Sequence, residues 1–221
     1  MSRTIAIGDI HGCSTALRTL LAAISPVEDD TVVTLGDCVD RGPDSCGVLC
    51  QLLELRERCR LIPLMGNHEI MMLSALSGDL DVCIWQRYGG AQTLASYDGG
   101  LSGICDEHRE FLASCRHFHE TDSHIFMHAN YVADLDLAEQ PGQVLFWMHV
   151  SSMVPPRHQS GKIAVVGHTP QIEGEVLNLG HLICIDTCCF ADGWLSALDI
   201  DSGQIWQADQ LGNLRIKDVA P

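Results

Sequence analysis

Basic residues are scarce in this 221-residue chain, which has 13 lysines and arginines against 29 acidic residues and a formal net charge of −16. Nucleic acid backbones and anionic membranes are bound mainly through lysine and arginine, so this balance argues against both as partners. A phosphate-bearing ligand would have to be attracted by a local positive site rather than by the overall field. Bound cations are one way to build such a site.

Long apolar runs and paired cysteine motifs are missing as well. No stretch approaches the roughly 20 apolar residues of a membrane span, and the first four residues lack the order of a secretory signal. None of the 11 cysteines stands in a Cys-x-x-Cys arrangement, so a zinc finger is not predicted. We expect a monomeric cytoplasmic protein with one domain over residues 1–221 and thiols that are mostly reduced.

The chain does contain short apolar segments that each stop at a polar loop. The first three, Thr4–Gly8, Thr31–Leu35 and Leu61–Met65, are each followed by apolar residues at helical spacing. Repeated strand–loop–helix units predict a largely parallel sheet with functional loops at the carboxyl ends of its strands.

After an irregular, more helical middle, the chain returns to strand patterns. We predict strands over His124–His128, Lys162–Gly167, Val176–Leu179, His181–Asp186, Trp194–Asp199 and Gln204–Gln207. We interpret the last four as a β-meander that finishes a second sheet. The predicted fold class is α/β, with two packed mixed β-sheets that form a β-sandwich flanked by helices.

Five polar loops follow the predicted strands. In one-letter code they are GDIHG from residue 8, GDCVDRG from residue 36, GNHE from residue 66, HAN from residue 128 and GHT from residue 167. One such loop is weak evidence for a metal site, since Asp9 or Asp37 would serve equally well as a helix N-cap. Three glycine-bounded blocks in succession, each after a strand, indicate a shared site.

The loop side chains have the composition of a two-metal site. The predicted ligands are Asp9, His11, Asp37, Asn67, His128 and His168. Asp9 and His11 share one turn and can hold one ion, while Asp37 can bridge it to a second ion. Mixed carboxylate, amide and imidazole donors suit Mn, Fe or Zn, whereas Mg prefers oxygen donors alone. With a bridging hydroxide the cluster would keep about one positive charge, which suits a phosphate dianion.

Three further residues have predicted catalytic roles. Attack by metal-activated water needs no serine or cysteine nucleophile, but the leaving group needs a proton. His68 is the predicted acid, because its neighbour Asn67 is a predicted ligand, and Asp40 is predicted to orient its ring. Arg41 is predicted to hold the phosphate oxygens through its planar guanidinium.

In this order, the blocks resemble the phosphoprotein phosphatase branch of the calcineurin-like metallophosphoesterases, and most closely its small bacterial and phage-type members. The resemblance runs from about Ile5 to Ile185–Thr187 and the strands beyond. It implies the same ligands and the same acid pair, with two divalent ions of which Mn is the expected one and Fe, Zn and Mg are alternatives. The implied activity is that of a Ser/Thr or dual-specificity protein phosphatase acting on phosphoproteins or small phosphoesters.

Two departures from the family pattern stand out. Asn130 replaces the acidic or glycine residue that usually ends the fourth block. The stretch Phe146–His149 lacks the second phosphate-binding arginine. His149 and Arg157 are the candidates to replace it.

Two other functions are compatible with the motifs. Symmetrical bis(5'-nucleosyl)-tetraphosphate hydrolases form a sister branch with a similar Ile185–Cys189 run. Those enzymes commonly lack the acidic residue before the arginine of the second block and have aspartate in place of Glu69. A non-catalytic phosphate-sensing domain would keep the metal site without turnover, and it ranks last because the predicted ligands and acid pair are all present.

Overall fold

The computed structural model describes residues 2–218 as strands and helices separated by short loops. The strands are β1 (Thr4–Ile7), β2 (Thr31–Thr34), β3 (Arg60–Pro63), β4 (Phe118–Glu120), β5 (His124–Met127), β6 (Ile163–Val166), β7 (Leu177–Asn178), β8 (Leu182–Cys184), β9 (Asp186–Thr187), β10 (Trp194–Asp199), β11 (Gln204–Ala208) and β12 (Leu214–Asp218). The helices are α1 (Ser14–Ile24), α2 (Ser45–Arg56), α3 (Asn67–Ser77), α4 (Val82–Trp85), α5 (Ala91–Ala95), α6 (Asp106–Ala113) and α7 (Gly142–Trp147), with a kinked segment at Gln86–Gly90 between α4 and α5. Within residues 2–218, every helix is too short or too polar to span a bilayer.

The strands form two mixed sheets, as predicted. The first has the order β12-β11-β10-β1-β2-β3, with β9 paired to β10. Its strands β1, β2 and β3 are parallel, and β10 is antiparallel to β1. The second has the order β4-β5-β6-β8-β7, with β5, β6 and β8 parallel. The predicted β-sandwich flanked by helices is therefore confirmed.

Alternating side chains of the central strands supply two different apolar cores. In β1, Ile5 and Ile7 pack with residues of α1 and α2, whereas Ala6 packs between the sheets with Phe126 and Val165. Successive strand residues point to opposite faces, so a strand covered on both faces is apolar throughout. This arrangement fixes the carboxyl ends of the strands, from which the polar loops emerge.

The predicted meander was wrong in two respects. The segment His181–Asp186 is not one strand: β8 pairs with β6 in the second sheet, and β9 pairs with β10 in the first. Strands β10 and β11 also extend the first sheet rather than the second, because β10 pairs along β1 with Asp199 opposite Ile5. The chain crosses between sheets at Ile185, which is buried in the core between them. Continuous burial on both sides of Ile185 leaves no change of pattern that could mark the crossing.

Two strands were not predicted at all. The three residues of β4 pair with β5, and β12 pairs with β11 at the outer edge of the first sheet. Both lie at sheet edges, where only partial burial weakens the apolar pattern that identifies a strand.

Asp30 ties the start of β1 to the turn before β2. Its buried carboxylate accepts hydrogen bonds from Arg3 N at 3.0 Å, Arg3 Nη2 at 2.5 Å and Val27 N at 3.1 Å. The hydrogen bond from the Arg3 side chain is the main cause that lowers the pKa of Asp30 to about 2.

We expect Asp30→Asn to lower the free energy of unfolding by about 1–3 kcal/mol at neutral pH, because a charged acceptor is lost. The folded-state pKa lies below the ordinary value of 3.8, so the contribution is complete above that value and is lost as the pH falls through about 2. Urea unfolding at pH 7 and pH 3 should show a smaller difference from wild type at pH 3. The control is Asp29→Asn, which changes an exposed neighbouring residue. A loss of stability that does not depend on pH, or an equal loss in Asp29→Asn, would contradict this account.

Candidate metal centre

The predicted ligands come from loops at the carboxyl ends of parallel strands in both sheets. The preceding strands are β1 for Asp9 and His11, β2 for Asp37, β3 for Asn67, β5 for His128 and β6 for His168. The two sheets meet at this point, since His128 Nδ1 lies 2.8 Å from the carbonyl oxygen of Leu35 at the end of β2. The site is therefore built by the packing of one sheet on the other.

The structure brings the predicted ligands together around Asp37. Potential ligand atoms of His11, Asp37 and His68 all lie within 4.8 Å of one another, and so do those of Asp37, His128 and His168. Asn67 Oδ1 lies 2.9 Å from His128 Nε2. Asp37 thus stands between two groups of donors, as a bridging ligand would.

Backbone carbonyls fix the tautomers of two histidines. His11 Nδ1 lies 3.0 Å from the carbonyl oxygen of Val39, and His128 Nδ1 has the contact with Leu35 described above. A carbonyl can only accept, so each Nδ1 carries the hydrogen, and Nε2 of the neutral ring is then an acceptor. Histidines that bind a metal ion through one ring nitrogen usually donate a hydrogen bond from the other nitrogen in this way.

Both acceptor nitrogens lie close to other acceptors, although His11 Nε2 also has Arg41 Nη1 at 3.3 Å. His11 Nε2 lies 3.5 Å from Asp37 Oδ2, and His128 Nε2 lies 3.5 Å from Asp37 Oδ1. The same His128 nitrogen lies 2.9 Å from Asn67 Oδ1 and 3.1 Å from His168 Nδ1. Buried acceptors without shared hydrogens repel each other and have lost their water. A divalent cation turns the same groups into ligands, so this donor set fits one.

Protonation divides the histidines of the site into two kinds. Burial lowers the pKa of His11 and His168 to about 3, and it also lowers the pKa of His128. For His68, burial lowers the pKa too, but the charge of Asp37 and the hydrogen bond with Asp40 outweigh it and raise the pKa. Neutral imidazole is the form that binds metal. His68 alone among them holds its proton more firmly than a free histidine.

Buried carboxylates crowd the same region. Burial, followed by the charges of Asp186 and Asp37, raises the pKa of Asp9 well above its ordinary value, and burial raises the pKa of Asp186 to about 6. Like charges at such a site call for a neutralising cation. Both oxygens of Asp9 accept from His168 N, at 3.1 and 3.0 Å. Asp186 was not among the predicted ligands, although the Ile185–Thr187 segment was part of the resemblance.

The predicted acid pair is held by groups that were not predicted. His68 Nδ1 lies 2.8 Å from Asp40 Oδ2, which also accepts from Trp85 Nε1 at 2.8 Å. Asp40 Oδ1 accepts from Thr93 Oγ1 at 2.7 Å. His68 Nε2 is buried, lies 3.9 Å from Asp37 Oδ2 and has no hydrogen-bond partner in the described part of the chain. The ring is therefore fixed with Nε2 directed towards the cluster.

Arg41 lies at the edge of the cluster. Its Nη1 is 3.3 Å from His11 Nε2, and its guanidinium lies over the ring of Phe190, 4.7 Å from the centroid. The His11 ring contacts the same Phe190 ring, with centroids 5.0 Å apart. Arg41 is thus placed to contact an anion held beside His11.

The two candidates for the second arginine have different positions. His149 lies at the site, with its ring centroid 4.4 Å from that of His168. Arg157 donates to the carbonyl oxygen of Gly161 at 3.0 Å and, within residues 2–218, forms no hydrogen bond or ion pair with a predicted ligand. Of the two candidates, His149 is therefore the one with a contact to a predicted ligand.

The residue that departs from the family pattern in the fourth block stabilises its own loop. Asn130 Nδ2 donates to the carbonyl oxygen of Met153 at 2.8 Å, and Asn130 Oδ1 accepts from Tyr131 N at 2.8 Å. Both side-chain groups of Asn130 are thereby used within the protein.

Positive backbone φ angles are concentrated in these loops. They occur at His11 (45°), Asp37 (49°), Asp40 (71°), Arg41 (68°) and His168 (60°). Such conformations cost non-glycine residues about 1–3 kcal/mol each and persist only where the surroundings impose them. The loops are held in shapes that direct side chains into the site at the expense of stability.

Glu69 joins the second loop to the third. Its buried carboxylate accepts from Asp37 N at 2.7 Å, Cys38 N at 2.8 Å and Gly66 N at 2.8 Å. A Cβ atom at Gly66 would lie 2.2 Å from Asp37 Oδ1, so this close approach requires glycine. Burial and then the charge of Asp37 raise the pKa of Glu69 to about 7.

We expect Glu69→Gln to lower the free energy of unfolding by about 1–3 kcal/mol. Its amide NH₂ group would face backbone N–H groups that now donate hydrogen bonds to the carboxylate. Affinity for a divalent cation, with Mn²⁺ as the probe, should fall too, since Asp37 loses its backbone anchor. Urea unfolding and calorimetric titration measure the two effects, with Glu107→Gln as the control on an exposed residue. Wild-type stability together with wild-type metal affinity would show that Glu69 does not hold the loops.

Comparison with known proteins agrees with this geometry. The model of the calcineurin-like phosphoesterase family matches residues 2–196. The chain belongs to the calcineurin-like phosphoesterase family. Members of this family use divalent metal ions, and the side chains grouped around Asp37 could hold such ions.

Similar proteins fall into two groups. A symmetrical bis(5'-nucleosyl)-tetraphosphatase of Acidovorax sp. (strain JS42) is 47% identical over 74 residues, which are 33% of this chain and 25% of that protein. Serine/threonine-protein phosphatase 1 of Salmonella typhimurium is 33% identical over 135 residues, 58% of each chain. The matches thus span from a quarter to somewhat over half of the length of these relatives.

Solved structures share the fold at low sequence identity. A candidate diadenosine tetraphosphatase has a TM-score of 0.72 at 21% identity, over 98% of this chain and 93% of that one. A cold-active protein-tyrosine phosphatase from a psychrophilic Shewanella species has a TM-score of 0.67 at 21% identity, over 97% and 80% of the two chains. At this level of identity the likeness establishes the fold alone.

Proposed function

We propose that the chain is a metal-dependent hydrolase of symmetrical dinucleoside polyphosphates. The observation that carries the hydrolase assignment is the set of buried acceptors that face one another around Asp37. The Acidovorax relative supports the choice of substrate. The proposed ion is Mn²⁺, because the donors mix carboxylate, amide and imidazole groups. The proposed catalytic domain is the whole of residues 1–221, since the ligands come from both sheets.

The proposed ligands are Asp9, His11, Asp37, Asn67, His128 and His168. When bound there, divalent ions supply an activated water and stabilise negative charge on the reacting phosphate. Arg41 binds phosphate oxygens through its planar guanidinium. His68 holds a proton in the direction of the cluster, and Asp40 keeps its ring in that orientation.

The acid pair favours a second candidate, a Ser/Thr protein phosphatase. A serine alkoxide is a strong base and needs a proton as it leaves, whereas a nucleoside diphosphate leaves as a stable anion. The buried contact of 2.8 Å between His68 and Asp40 is therefore more useful for a phosphoserine substrate. The Salmonella relative supports this candidate.

Turnover of three substrates with Mn²⁺ separates the candidates. We expect a higher kcat/KM for diadenosine tetraphosphate, with ADP as product, than for a phosphoserine peptide or p-nitrophenyl phosphate. Asn67→Ala should lower turnover of all three by at least roughly a hundredfold, because it removes a proposed ligand. Asn213→Ala, at an exposed turn, is the matched control. His68→Asn should lower phosphoserine turnover by roughly 10²–10⁴-fold and dinucleotide turnover much less.

Two results would overturn the leading proposal. A phosphoserine peptide hydrolysed well while the dinucleotide is left intact would establish the second candidate instead. Metal binding without turnover of any phosphoester would indicate a phosphate-binding domain that does not catalyse.

A further inference from the structure

A cavity of about 480 Å³ opens beside Arg41. Besides Arg41, its walls include Arg87, Tyr88, Gln92 and Phe190. Cavities of about 300–1,000 Å³ are typical of sites for ligands of drug size. The cavity shares Arg41 with the candidate metal centre, so a ligand that contacts Arg41 from the centre can extend into it.

Hydrogen bonds connect the wall of this cavity to Asp40 and Arg41. The kinked segment Gln86–Gly90 follows Trp85, whose Nε1 donates to Asp40, and the carbonyl oxygen of Gly89 accepts from Arg41 N at 3.2 Å. Gly89 has a φ of 114°, and a Cβ atom there would lie 2.5 Å from Arg41 N. The cavity wall is thus held beside Asp40 and Arg41 by hydrogen bonds to both residues.

Arg87 brings a second guanidinium to the cavity. Its side chain is exposed and, within residues 2–218, it has no carboxylate at ion-pair distance and no hydrogen-bond partner. The chain has 29 acidic residues against 13 basic ones, so an arginine left without an acidic partner beside an anion site is available to a ligand. Guanidinium groups bind phosphate oxygens through paired hydrogen bonds.

Tyr88 offers an aromatic surface next to Arg87. The residue is 56% exposed and lines the same cavity. Exposed aromatic rings stack on nucleobases with little dependence on the base, since every base has a flat face. Guanidinium and phenol side by side suit a ligand that has both phosphates and a base.

We propose that this cavity holds the leaving nucleoside diphosphate, with Arg87 on its phosphates and Tyr88 stacked on its base. The inference rests on the proposed dinucleoside polyphosphate activity and adds its specificity-determining residues. In this proposal Arg87 takes the role of the second phosphate-binding arginine, which the stretch Phe146–His149 lacks. A phosphomonoester such as p-nitrophenyl phosphate has no second phosphate, so it makes no use of Arg87.

The test compares Arg87→Gln with Arg18→Gln, an exposed arginine that lines a different cavity. We expect Arg87→Gln to lower kcat/KM for diadenosine tetraphosphate by roughly 10- to 100-fold, because a hydrogen bond from a charged group is lost. Turnover of p-nitrophenyl phosphate should change by less than about twofold. Arg18→Gln should leave both unchanged. Equal losses on both substrates, or no loss on either, would overturn the proposal.

Product inhibition tests the cavity separately from the proposed function. With p-nitrophenyl phosphate as the reporter, Arg87→Gln should raise the inhibition constants of ADP and of pyrophosphate, whereas Tyr88→Ala should raise that of ADP alone. If wild type does not hydrolyse the dinucleotide, the proposed function fails, but weaker ADP inhibition in both variants still supports the cavity. ADP inhibition that neither variant changes overturns the cavity whatever the dinucleotide result.

Discussion

The electrostatic repulsion among buried acceptors around Asp37 is the constraint on which the rest of the site depends. The carbonyls of Val39 and Leu35 fix hydrogens on Nδ1 of His11 and His128, so the Nε2 acceptor of each ring lies 3.5 Å from a carboxylate oxygen of Asp37. Arg41 Nη1 offsets this at His11 only, since it lies 3.3 Å from that Nε2. Without a cation this arrangement opposes folding, and with one it becomes a coordination shell. We therefore expect the stability of the fold to depend on the binding of a divalent cation.

The fold forms the candidate site by bringing together the carboxyl edges of the two sheets. Neither sheet alone has all the predicted ligands, since the loops after β1 to β3 supply four of them and those after β5 and β6 supply His128 and His168. Glu69 holds neighbouring loops in register through backbone N–H groups. The left-handed residues in these loops, which are unfavourable locally, are maintained by that packing. The site is thus specified by long-range contacts more than by any single loop.

Much of this could be predicted from the sequence because strand, loop and glycine signals are local. The order of blocks predicted side chains that lie close together in the structure, and the apolar runs predicted two sheets. The crossing at Ile185 was missed because burial is continuous on both sides of it. Trp85 and Thr93 act on Asp40 from 45 and 53 residues away, and no local pattern marks such contacts. Arg87 was missed because an exposed arginine becomes informative only when its neighbours are known.

Anomalous diffraction from crystals grown with Mn²⁺ tests the central claim most directly. The account predicts two anomalous peaks about 3.5–4 Å apart, with a carboxylate oxygen of Asp37 within about 2.5 Å of each. A single peak, or peaks remote from Asp37, would contradict it.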